Sequence, residues 1–190
     1  MKTFFETGIE QKNLGIPRSL HLELERTILR LPEVDEAGVK WSLKNYRKGY
    51  TSYGSLSRLH EQFTIFDRFK KKLDLALKQY LKGIGLKFPE GAPELNSLWV
   101  NIMPADCYHA FHIHPNSVVS GTYYVKVPKG SSPLRIEDPR AGLFMNCPPR
   151  AIQKDLYPKS GEVILFESWL RHEVPPHSSE ESRVSISFNY

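Results

Sequence analysis

Three histidines define the chemistry open to this sequence. His112 and His114 stand two residues apart in HAFHIHP, and His172, at the end of EVILFESWLRH, follows 58 residues after His114. If HAFHIH is a strand, both imidazoles of the pair leave the same face. Two nitrogen ligands on one strand can then share a metal, and imidazole suits Fe, Zn, Cu and Ni. An antiparallel fold can bring the third ligand from far along the chain. By itself the pair is equally compatible with a structural role. His109 and His177 read as flanking or solvent-exposed, with His109 the one able to line the mouth of a site.

The last run, RVSISFNY, adds a second function. Arg183, Ser185, Ser187 and Asn189 alternate with Val184, Ile186, Phe188 and Tyr190, so a strand here sets a polar face against an apolar one. Arg183 and Ser185 point the same way. A guanidinium offers a carboxylate two parallel charge-assisted hydrogen bonds, and a neighbouring hydroxyl adds a third donor. The alternative is an arginine at the rim, paired with an acidic neighbour.

These groups need a scaffold, and the chain divides into two textures. Leu20, Leu24, Ile28 and Leu31 predict a helix over residues 18–31 that Pro32 ends. Phe66, Phe69, Leu73, Leu77 and Tyr80, at steps of three and four, predict an amphipathic helix over 60–82. Residues 45–58, with Tyr46, Tyr50, Tyr53, Arg47, Lys48 and Arg58, read as a loop that either covers the site or merely joins helices. From Leu98 onward short β-rich runs alternate with Pro, Gly and Asn: LWVNIM, HAFHIH, SVVSGTYYVKV, PLRIED, EVILFE and RVSISFNY. That spacing predicts a sandwich or barrel of antiparallel strands. At 190 residues a single domain is expected, with residues 1–95 as mainly helical support and 96–190 as the β core.

Charge follows the same division. Positions 1–90 hold 17 basic and 11 acidic residues, while the remainder holds 9 and 10. The net charge of +5 therefore belongs to the helical part, where Lys70, Lys71 and Lys72 read as a solvated face rather than a nucleic-acid contact. No apolar run is long enough for a bilayer, and MKTFFETGIEQK lacks the apolar stretch of a secretory signal. Two cysteines, Cys107 and Cys147, make no disulfide framework. A cytoplasmic protein with no membrane contact is expected.

The quoted motifs resemble a known family. HIHPN (112–116), SGTYYV (120–125), WLRHEV (169–174) and RVSISFN (183–189) are similar to a small bacterial subgroup of the 2-oxoglutarate- and Fe(II)-dependent oxygenases. The resemblance spans about residues 95–190 and implies a double-stranded β-helix, a jelly-roll or cupin-like barrel, with the N-terminal helices packed against it. It implies a dioxygenase that hydroxylates its substrate while 2-oxoglutarate becomes succinate and CO2. It makes His112, His114 and His172 the iron ligands and Arg183, helped by Ser185, the partner of the distal 2-oxoglutarate carboxylate. Tyr124 and Asn101 are further candidates for that cofactor pocket, and no catalytic side chain beyond the metal site is implied. His114 stands where the wider superfamily carries a carboxylate, so Asp138 is kept as an alternative ligand, whereas Glu173, adjacent to His172, would face away. Trp169, Phe111 and Phe144 read as core more readily than as pocket walls. Two other functions stay open: a cupin-like three-His metalloenzyme that does not use 2-oxoglutarate, and a basic nucleic-acid-binding module. A small molecule or peptide is the expected substrate. The final strand can either close the barrel or pair with a second chain as a homodimer.

Overall fold

The computed structural model describes residues 2–46, 48–145 and 151–190, so Arg47 and Cys147 lie outside the described residues. Its helices follow the apolar stripes. Helix α1 (Arg18–Val34) buries Leu20, Leu24, Ile28 and Leu31, and α4 (Thr64–Gly83) buries Phe66, Phe69, Leu73, Leu77 and Tyr80. Pro32 does not end α1 but lies within its last turn. There it removes only one N–H from the ladder, and the Asp35 N–H still reaches the Leu31 carbonyl at 3.0 Å. The expected helix over 60–82 is divided: α3 (Leu59–Gln62) stops at Phe63, whose extended backbone precedes α4. Between α1 and α3 lies α2 (Glu36–Asn45), which the apolar pattern does not announce. The Asp35 carboxylate caps it by accepting from the Gly38 N–H at 2.9 Å.

Among the described residues ten strands form two antiparallel sheets: β1 (Ile9–Asn13), β2 (Tyr50–Thr51), β3 (Ser97–Met103), β4 (His109–His112), β5 (Val119–Lys126), β6 (Leu134–Glu137), β7 (Gln153–Leu156), β8 (Glu162–Glu167), β9 (His172–Val174) and β10 (Arg183–Asn189). The larger sheet runs β1-β8-β5-β10-β3-β2 and the smaller β4-β9-β6-β7. Strand β10 is bonded to β3 on one edge and β5 on the other, so its pairing is satisfied within the chain. Residues 45–58 are not loop throughout, because Tyr50 and Thr51 pair with Ile102 and Asn101 as β2.

Period-two alternation assigns the two faces of the large sheet. Val100, Tyr123, Val163, Leu165, Val184, Ile186 and Phe188 join Leu24, Ile28, Phe66, Phe69 and Leu73 in one core between sheet and helices. The opposite face sends Met103, Tyr124, Ile164 and Phe166 toward Leu134, Ile136 and Val174 of the small sheet. Each large apolar side chain so buried contributes roughly 1.5–3 kcal/mol. Outside, Arg135 bridges Asp155 at 2.7 Å and Glu173 at 3.3 Å, which turns Glu173 away from the space between the sheets. On α4, Lys70 pairs with Asp74 and Lys71 with Asp67 at i,i+4 spacing, as a solvated helix face does. Among the described residues no helix is long and apolar enough to cross a membrane.

Asp35 fastens the segment from Tyr50 to Ser55 to the start of α2. Besides capping α2, its carboxylate accepts from the Tyr50 hydroxyl at 2.7 Å and the Ser55 hydroxyl at 2.6 Å. Replacing Asp35 by Ala removes the cap and leaves the Tyr50 hydroxyl, in a buried residue, without its acceptor, so Asp35→Ala should cost roughly 2–4 kcal/mol. Urea unfolding tests this, and a loss below about 1 kcal/mol would assign the fastening elsewhere.

Candidate metal centre

His112, His114 and His172 meet between the sheets. Each offers one ring nitrogen, and the three nitrogens lie within 4.8 Å of one another. His112 is the last residue of β4 and is paired directly with His172, the first of β9, across an antiparallel ladder. A register shift between His109 and His112 interrupts that ladder. His114 lies two residues past the strand end, so the pair is not carried on one regular strand as the spacing predicts. The backbone N–H of His114 instead donates to the Ser168 carbonyl at 2.9 Å, which fixes it beside the other two.

The hydrogen bonds of the three rings determine which nitrogen is available. His112 donates from Nδ1 to the Ala110 carbonyl at 2.7 Å, and His172 from Nδ1 to the Leu170 carbonyl at 2.8 Å. His114 donates from Nδ1 to Oδ1 of Asn189 at 2.6 Å. That amide oxygen also accepts from Ser120 at 2.8 Å, and Ser120 in turn meets the Ser168 hydroxyl at 2.7 Å. With Nδ1 protonated on every ring, the free lone pair is on Nε2. This is the arrangement in which outer partners fix the tautomer and orientation of metal-binding imidazoles.

Electrostatics agrees with that assignment. Burial, reinforced by the neighbouring rings, holds His172 down to about 3 and His114 to about 4, and burial also lowers His112. All three are neutral at pH 7, so a divalent cation need not displace protons to bind. His109 is lowered to about 3 by burial and by His112 and Arg183, and it stacks on Tyr46 with ring centroids 4.7 Å apart. It lines the site, as the sequence allows. His177 is neither exposed nor near the metal group; it is buried and meets the Met103 carbonyl at 2.9 Å. Asp138 does not join the cluster, because its carboxylate is held by Arg140 at 2.7 and 2.9 Å. Trp169 and Phe144 are about half exposed, and Phe111 lies under Arg171 rather than against the site.

An inner chamber joins the three histidines to Arg183, Ser185, Asn101 and Thr122. Arg183 is 2% exposed, and its guanidinium lies 4.9 Å from the Tyr124 ring centroid. Among the described residues Nη1 donates to the Met103 sulfur at 3.1 Å, while Nε has no partner. The Tyr124 hydroxyl, beside Arg183, and Oδ1 of Asn101 are buried and accept or donate no hydrogen bond of good geometry among the described residues; the Asn101 amide nitrogen donates to Ser187 at 3.1 Å. A buried cation with no counter-charge among the described residues is costly, and an anion in the chamber would offset that cost. While His172 and Arg183 line only the chamber, His112 and His114 also line an open cleft of about 710 Å3. Tyr46 and Tyr53 of the tyrosine-rich segment line it, whereas Tyr50 points to Asp35, Lys48 pairs with Asp106 and Arg58 with Glu61.

Sequence reasoning did not find the orienting roles of Asn189, Ser120 and Ser168. Asn189 was visible only as one member of the polar face of β10, since its partner His114 lies 75 residues away.

Residues 97–189 match the model of a family described as "Putative 2OG-Fe(II) oxygenase". No curated protein matches the chain in sequence. Among solved structures, a prolyl-4-hydroxylase from Pseudomonas putida is similar with a TM-score of 0.64 at 17% identity, covering 96% of this chain and 92% of that one. The α-ketoglutarate-dependent epimerase SnoN from nogalamycin biosynthesis is similar at 0.68 and 13% identity, with 96% and 76% covered. HygX from Streptomyces hygroscopicus, with nickel and 2-oxoglutarate bound, is similar at 0.63 and 12% identity, with 96% and 82% covered. At these identities the likeness is one of fold.

If Asn189 fixes the His114 tautomer, Asn189→Ala should weaken Fe(II) or Ni(II) binding ten- to a hundredfold, about the effect of losing such an outer partner. Titration calorimetry under argon measures it, and an unchanged affinity would remove Asn189 from the centre.

Proposed function

We propose that the chain, whose residues 97–189 match the model of the family described as "Putative 2OG-Fe(II) oxygenase", is an oxygenase of that kind and hydroxylates a C–H bond of a substrate held in the open cleft. The family's cofactors, Fe(II) and 2-oxoglutarate, fit what the residues offer. His112, His114 and His172 would hold the metal through Nε2. Arg183 would hold the distal carboxylate of 2-oxoglutarate, with Ser185 and the hydroxyl of Tyr124 as further donors. The observation that carries this reading is the buried guanidinium of Arg183, which lacks a carboxylate partner among the described residues. A three-His enzyme without 2-oxoglutarate leaves that cation unexplained.

When bound, the iron and 2-oxoglutarate supply oxidative decarboxylation to succinate and CO2 together with the oxidising power for hydroxylation. The protein's own part is positional. Arg183 and Ser185 would orient the co-substrate by its far end, and the Nδ1 hydrogen bonds keep three Nε2 lone pairs converged on one point. Leu134 and Val174 give the otherwise polar chamber an apolar side. With His114 in place of a carboxylate the ligands bring no negative charge, so the charge of a divalent metal is left for anionic co-ligands to balance.

The same reading takes the two facing sheets as the halves of a cupin-like double-stranded β-helix, residues 96–190, supported by the helical residues 1–95 within one domain. Similarity to oxygenase folds across 96% of the chain supports this. A cytoplasmic setting belongs to it as well, since Cys107 is free and buried and reduced thiols persist there.

Arg183→Met keeps the apolar stem and removes the charge. It should weaken 2-oxoglutarate binding by about a hundredfold or more, as loss of a buried charge-assisted fork does, and should abolish succinate formation measured by chromatography with Fe(II) and ascorbate. Binding that survives unchanged would favour the three-His reading.

A further inference from the structure

The open cleft describes the substrate as well as the way in. Two aromatic walls converge on the histidines. On one, Trp41, Tyr53 and Trp99 form a chain of edge contacts, with ring centroids 6.4 and 5.1 Å apart, and Trp99 lies 5.9 Å from His114. On the other, Tyr46 stacks on His109 at 4.7 Å, and His109 lies 6.0 Å from His112. Trp41, Leu43, Tyr53, Tyr108 and Ile113 all line the cleft and are all among the exposed large apolar residues. Their gathering around one opening marks a binding surface rather than scattered surface apolarity.

Charge narrows the class of ligand. Among the described residues, Lys44 is the one charged side chain lining the cleft, and no carboxylate lines it. Planar ring faces favour a planar ring, and Lys44, the one lysine, arginine or carboxylate side chain of the lining among the described residues, favours an anionic group beside it. We propose that the substrate is a planar-ring molecule with one anionic group, the ring held between the aromatic walls and the anion beside Lys44. This rests on the cleft being the substrate side of the oxygenase site.

Equilibrium dialysis of the full chain tests it with three probes of one shape: 2-naphthoate, 2-naphthylmethanol and 2-naphthylmethylammonium. Neither metal nor 2-oxoglutarate is added, so failure here and failure of the oxygenase reading are separable. The naphthoate should bind tightest and the ammonium weakest, with about three- to fivefold between neighbours, the scale of an exposed ion pair. Lys44→Glu should reverse the order, and Trp41→Ala should weaken all three about three- to tenfold. Naphthoate held instead at Arg183 would be insensitive to both substitutions, and that result overturns the proposal. So does an ammonium that binds as tightly as the naphthoate, or the absence of binding by all three probes at millimolar concentration.

Discussion

Alternation along Arg183–Asn189 is the constraint on which the rest of the molecule depends. Strand β10 is hydrogen-bonded on both edges, so a slip of one residue would carry its whole apolar set out of the core. Val184, Ile186 and Phe188 are fixed against the helices, and the same register obliges Arg183, Ser185, Ser187 and Asn189 to face the space between the sheets. One end of that row gives the chamber its buried cation, and the other end orients His114. Stability and site are thus read from opposite faces of a single strand.

The site opposes folding in two places. Three imidazoles, one buried and two half-buried, are packed together as neutral rings, and a guanidinium is buried with a thioether and an aromatic face for company. Such groups persist where the surrounding packing fixes them. Here the core of β3, β5, β8 and β10 against α1 and α4 provides it, while Asp35 fastens the segment from Tyr50 to Ser55. A bound metal and dianion would relieve both costs by mass action.

Much of this was legible in sequence because it rests on period. The stripes of α1 and α4, the runs that became β3, β5, β8 and β10, and the polar face holding Arg183 were all visible as spacing. Elements without a period were not. Strands β1 and β7, IEQKN and QKDL, are short and polar and exist because β8 and β6 offer them edges. Helix α2 depends on the Asp35 cap more than on an apolar stripe. The H-x-H spacing pointed to two of the three rings that meet, by an incomplete route: His114 is held by the Ser168 carbonyl and Asn189, contacts 54 and 75 residues away that no local pattern contains. The break at Phe63 and the passage of α1 through Pro32 show tertiary packing overriding local signals of where a helix should start and stop.

The central claim is that three neutral histidines and one buried arginine without a carboxylate partner among the described residues form a single site for a metal and a dicarboxylate. The most direct measurement is the visible spectrum of the full chain with Fe(II) under argon as 2-oxoglutarate is added. A weak charge-transfer band that grows to one equivalent, and is lost in both His172→Ala and Arg183→Met, is the predicted result. No band in the unsubstituted protein, or a band indifferent to Arg183, would contradict the account.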